Sequence, residues 1–172
     1  MKKLAVLLVA VLFAAPAFAG DKGIIKLSLW GNKAIAAPNN IHQITGVDVG
    51  IGSVADSVYG VQYDIVHGEA DEVYGIQTSW IWNESNVVKG IQDAIVTINN
   101  QELRGAQVGW VNLSHGNLIG VEIGLFNKAE ELHGVQLGIV NKVNNITGLQ
   151  IGLVNIAKNG FLPVMVIVNG HF

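Results

Sequence analysis

Gly134-Val135-Gln136-Leu137-Gly138-Ile139-Val140-Asn141 is followed, fourteen residues on, by Gly148-Leu149-Gln150-Ile151-Gly152-Leu153-Val154-Asn155. The same phrase, less closely kept, runs back through the chain on the glycines Gly46, Gly60, Gly75, Gly90, Gly105 and Gly120. A repeat of this period makes each copy one structural unit, so the architecture is the way copies stack or pair. With each glycine as position 0, +2 is Gln62, Gln77, Gln92, Gln107, Gln136 and Gln150, with Glu122 and Asp48 in the other two copies. Position +4 is small in most copies and carries Asp64 in one, and the residue two before the glycine is branched aliphatic or leucine.

These positions are all even, and a period of two sustained over nine residues reads as one continuous strand. One face then carries aliphatics at its ends and Gly, Gln and a small residue between, with an apolar +6 position. The other face carries the apolar +1, +3 and +5 residues. Its two rims are position −1 (Tyr59, Tyr74, Lys89, Arg104, His133) and position +7 (His67, Trp82, Thr97, Asn112, Asn127, Asn141, Asn155). Clusters rich in Asn, Ser, Gly and acidic residues, such as 83–86, 99–102 and 128–131, supply turn residues between strands.

The expected fold class is therefore all-β. About ten strands form an antiparallel meander that closes into a barrel: the eight repeats, a strand near 24–30 and a C-terminal strand over 161–172. Apolar residues facing lipid, aromatic rims and short turns suit an outer-membrane barrel. Asp93 in the middle of that face, a lumen poor in charge and the lack of long loops count against it. The alternative is a parallel β-solenoid, one repeat per coil, in which like residues stack. It requires a bend inside the strand at the +4 glycine, because nine straight residues leave too few to return. A third arrangement is a soluble barrel that binds a lipid or small molecule.

Residues 1–19 read as a signal peptide: Lys2 and Lys3, an apolar run from Leu4 to Ala15, then Ala17-Phe18-Ala19 before a mature start at Gly20. The expected division is 1–19, an N-terminal strand and connection over 20–45, the repeat array over 46–160 and the last strand over 161–172. There is no cysteine, so thiolate metal sites and disulfides are excluded. The formal net charge of −3 becomes −5 without the two leader lysines, which argues against a nucleic-acid partner.

The Gly-hydrophobic-Gln-hydrophobic-Gly-x-x-Asn phrase, its spacing and the ending Phe161-Leu162-Pro163…Asn169…Phe172 resemble bacterial exported surface-repeat proteins over about residues 46–172. The resemblance implies export and envelope association, with no catalytic residues to carry over.

No nucleophile, base and orienter fall into a motif, and the histidines lack metal-ligand spacing. His67, Glu69, Asp71 and Glu72 gather within six residues in a turn, where acidic side chains are merely solvated. The expectation is a non-enzymatic envelope protein with no cofactor and no metal. Its partners would be outer-membrane lipid, another envelope protein or a second copy. The Gln column reads first as a side-chain amide ladder and only second as a pore lining. Tyr59, Tyr74, Trp80, Trp82 and Trp110, with Tyr63, crowd onto one face as a candidate aromatic interaction surface.

Overall fold

In the computed structural model, which describes residues 22–31, 33–34 and 41–172, successive repeats pair parallel and in register. The strands are β1 (Lys22–Gly31), β2 (Lys33–Ala34), β3 (Gln43–Ser79), β4 (Trp82–Asp93), β5 (Val96–Val108), β6 (Val111–Ile123), β7 (Phe126–Leu137), β8 (Val140–Ala157) and β9 (Val164–His171). Their order in the sheet is β2-β1-β3-β4-β5-β6-β7-β8-β9. Gly75 lies opposite Gly90, then Gly105, Gly120, Gly134 and Gly148 in turn. The chain is a β-solenoid, one repeat per coil. The expected antiparallel barrel is thereby corrected, and the solenoid alternative is the observed fold. The signal peptide, with Ala17, Ala19 and Gly20, lies outside the described residues.

The physical reason is the bend the barrel reading did without. Continuous strand stops at +4 and +5, at Ala94-Ile95, Gly109-Trp110, Gly124-Leu125 and Gly138-Ile139, and resumes at +6. Alternation therefore breaks within these four copies, while β3 and β8 carry strand through the same place. Position +2 is buried, and so is the +7 asparagine, while the +6 residue is half-buried in most copies. The +7 column thus faces inward, opposite to its expected side. Its register also shifts in two copies: Gly68 and Asn83, one place beyond His67 and Trp82, align with Thr97 and Asn112. Coils starting at Gly60 and Gly75 take their fifteenth residue at this bend. Those starting at Gly90 and Gly105 take it at the later turn near Asn100 and His115.

The repeat glycine is fixed by two constraints. Its φ lies between 137° and 148° in all eight copies, a region open essentially to glycine alone. A Cβ at Gly105 would also stand 2.0 Å from the Gly90 carbonyl oxygen, and one at Gly120 1.9 Å from that of Gly105. At +4 the constraint is space: a Cβ on Gly124 would meet the Gly109 oxygen at 2.4 Å.

The core is a narrow aliphatic rail flanked by amides. Ile44, Val58, Val73, Val88, Leu103, Leu118, Leu132 and Ile146 stack one per coil and are fully buried. Each contributes about 1.5–3 kcal/mol. Beside them run the glutamines, equally buried. Gln77 Nε2 donates to Gln62 Oε1 at 2.9 Å, Gln92 to Gln77 at 2.9 Å and Gln150 to Gln136 at 2.7 Å. The asparagines form a second ladder: Asn112 Nδ2 donates to Asn127 Oδ1 at 2.7 Å, Asn127 to Asn141 at 2.8 Å and Asn141 to Asn155 at 2.8 Å. Each also donates to a backbone carbonyl across the bend, as Asn127 does to Leu137 at 2.9 Å. A buried amide must be bonded to be tolerated, and stacking supplies the partners.

Antiparallel strands close both ends. β2 lies against β1, and β9 lies against β8 with a bulge between Gly152 and Asn155. Ile167, opposite Gly152, has a φ of 69°, a strained value for a β-branched residue.

Candidate interaction surface

Every coil sends the residues at +1, +3 and +5 outward from one sheet. Over eight coils these positions are Val, Ile, Leu, Ala or Trp, with only three exceptions: Tyr63, Thr78 and Asp93. Ile76, Ile91, Ile123, Ile139, Ile151 and Leu153 are among those exposed by 40 % or more. Coils spaced about 4.8 Å apart make this face about 34 Å long, and four residues of strand make it about 13 Å wide. A contiguous apolar surface of that extent marks an interaction site.

The five expected aromatic residues do not form one surface. Tyr59 and Tyr74 stack with ring centroids 4.8 Å apart, and Lys89 Nζ sits 5.0 Å from the Tyr74 centroid, along the −1 column. Trp82 belongs to the stretch beyond the bend and packs against His67, with centroids 4.4 Å apart. Only Trp80 and Trp110 border the apolar face, both at +5 on its bend, 63 % and 62 % exposed. The one-place register shift at Trp82 separates it from the others.

A shallow groove of about 680 Å³ runs along this bend, lined by Tyr63, Thr78, Trp80, Asp93, Trp110 and neighbouring aliphatics. Trp80 Nε1 donates to the Tyr63 hydroxyl at 2.9 Å, and Thr78 Oγ1 donates to Asp93 Oδ2 at 3.1 Å. Sequence reading noted Asp93 only as an obstacle to lipid. The signal it missed was three polar residues at +3 in successive copies.

The repeat residues Gly60, Gln62, Gly75, Gln77, Gly90, Gln92, Gly105, Gln107, Gly120, Gly134, Gln136, Gly148 and Gln150 lie on the inner side of the coils. The glutamines among them are fully buried and hydrogen-bonded within the stack. That is the ladder and leaves no pore lining. Among the described residues no three His, Cys, Asp or Glu side chains converge in a metal-binding group. His67 Nε2 lies 3.7 Å from Glu69, without the rest of its acidic cluster.

Two departures from the amide ladders bury ionisable groups. At the N-terminal end Lys26 Nζ lies 3.7 Å from Asp48 and donates to the Val54 carbonyl at 2.5 Å, while Ser28 and Ser53 donate to Asp48. Burial raises the Asp48 carboxyl, opposed by Ser53 and Lys26. Asp64, at +4 on the next coil beside Gly50 and without a hydrogen-bond partner, is pushed up to about 8 by burial and then by Asp48. Glu122 takes the glutamine place between Gln107 and Gln136. Burial raises it to about 8 despite the bond donated by Gln136 at 2.5 Å. Comparison with protein-family models, with curated proteins and with solved structures finds no match for this chain.

Proposed function

We propose that this chain is an exported, non-enzymatic scaffold of the cell envelope or cell surface that works by docking through its apolar sheet face. The observation that carries the reading is the outward face itself, apolar over the whole stack save three positions. Ladders that spend the buried amides on coil-to-coil bonds leave function to the outside, where repetition offers a long, flat, regular surface. Export rests on Lys2-Lys3, the apolar run that follows and the Ala17-Phe18-Ala19 cleavage pattern.

Fractionation of cells that express the full chain, with and without Leu137→Glu and Ile151→Glu, tests this. The scaffold reading expects the native chain outside the cytoplasm and held on envelope material through salt washes. It expects the doubly charged variant, equally folded, to be released. Retention in the cytoplasm, or equal envelope binding of both chains, contradicts it.

A further inference from the structure

We propose that the groove on the central coils, between Trp80 and Trp110, binds a neutral oligosaccharide. This adds a ligand site of its own to the docking face and rests on the reading of that face as a binding surface. The placement of polar groups is the first argument. Tyr63, Thr78 and Asp93 occupy +3 in three successive coils, and Trp80 and Trp110 are the only tryptophans among the outward positions of the eight repeats. All five line the same 680 Å³ groove. On a sheet otherwise aliphatic at these positions, the polar row and the two exposed indoles lie side by side.

The hydrogen-bond inventory selects the ligand class. Trp80 already donates to the Tyr63 oxygen, so the Tyr63 hydroxyl proton is left to point at a ligand. Thr78 gives its proton to Asp93 Oδ2, so Asp93 Oδ1 and the Thr78 oxygen are left to accept. The groove therefore offers a donor and acceptors together. A cation brings no acceptor and leaves the Tyr63 proton unmatched. A phosphate or carboxylate brings acceptors alone and meets the Asp93 charge. Hydroxyl groups do both.

The indoles supply the apolar part of the match. A sugar ring presents C–H groups on its faces, and these pack on an exposed aromatic plane while its hydroxyls reach the polar row. Trp80 and Trp110 stand two coils apart, with Ile95 on the coil between, so their backbones are separated by roughly 10 Å. That span exceeds one ring, and the groove is open along the bend, so the ligand is a short oligomer.

The test uses the folded protein against a printed array of neutral hexose and N-acetylhexosamine oligomers. Tetramers of both kinds and tetramethylammonium are then titrated by tryptophan fluorescence and calorimetry. The proposal expects saturable tetramer binding, weakened about tenfold or more by Trp110→Ala and several-fold by Asp93→Asn, each variant folded by circular dichroism. Leu137→Glu, outside the groove on the same face, should leave saccharide affinity within about twofold, even where it abolishes envelope docking. A loss of docking with saccharide binding intact thus separates the two readings. An array without binding, tetramers bound equally by native chain and both variants, or tetramethylammonium bound in preference to tetramers each overturns the proposal.

Discussion

At the scale of single residues, the repeat is legible because each invariant position is held by a hard constraint. Gly105 needs both its φ of 137° and the absence of a Cβ. Gly105→Ala is expected to cost about 3 kcal/mol or more, from backbone strain and the clash with Gly90, read as a lowered denaturant midpoint. Glu122 tests the glutamine column from the other side. Its folded-state carboxyl is raised from 4.5 to about 8, so the native state holds the proton more tightly than the unfolded chain. Its contribution to stability is therefore fully present below about pH 4.5 and lost as pH rises through about 8. Asp64, raised from 3.8 to about 8, acts in the same direction. Glu122→Gln restores the residue of the neighbouring copies. It should stabilise the protein by about 2 kcal/mol at pH 9 and flatten part of the decline between pH 5 and 9 in denaturation measured across that range. The Gln column was legible as a ladder. The buried Lys26–Asp48–Asp64 group was not, because three residues far apart in sequence meet only once coils stack.

Elements depend on which side of the chain faces inward, and here sequence reading went astray for a definite reason. Period two runs from −2 to +4, which reads as a straight strand, and the bend at +4 and +5 resets the phase. Alternation read straight through thus places the buried Asn112, Asn127 and Asn141 outward and groups Trp82 with Trp80. Asn127 now makes a specific claim. It links Asn112 to Asn141 and holds the Leu137 carbonyl, so Asn127→Ala leaves several buried groups unmatched and should cost about 2–3 kcal/mol. Thr97 occupies this column naturally, donating to Asn112 at 2.6 Å and accepting from Gln107 at 2.7 Å. Asn127→Thr should therefore cost less than Asn127→Ala, and paired denaturation curves check the order. Excision of residues 134–147, one full coil, joins His133 to Gly148 with every remaining column in register. The shortened chain should fold cooperatively with an unchanged β-type circular dichroism spectrum. In a meander the same excision would reverse the direction of all later strands.

For the whole molecule, stacking turns a local rule into a long object with unlike sides: an inside of aliphatic and amide rails, and an outer sheet face with three polar positions. Repetition was readable from the sequence, and so was the outward apolar set. The architecture lay in strand direction, which alternation alone does not encode, and in a bend that a small residue permits without requiring. The most direct measurement of the solenoid exploits the absence of cysteine. Spin labels at cysteines replacing the outward +3 residues Val49, Val108 and Ile151 report distance along the stack by pulsed electron resonance. Coils about 4.8 Å apart place positions 49 and 108 about 19 Å apart, and 49 and 151 about 34 Å apart, before label length is added. A distance that grows in proportion to the number of repeats is the predicted result. A 49–151 distance shorter than the 49–108 distance, as in a sheet closed on itself, would contradict it.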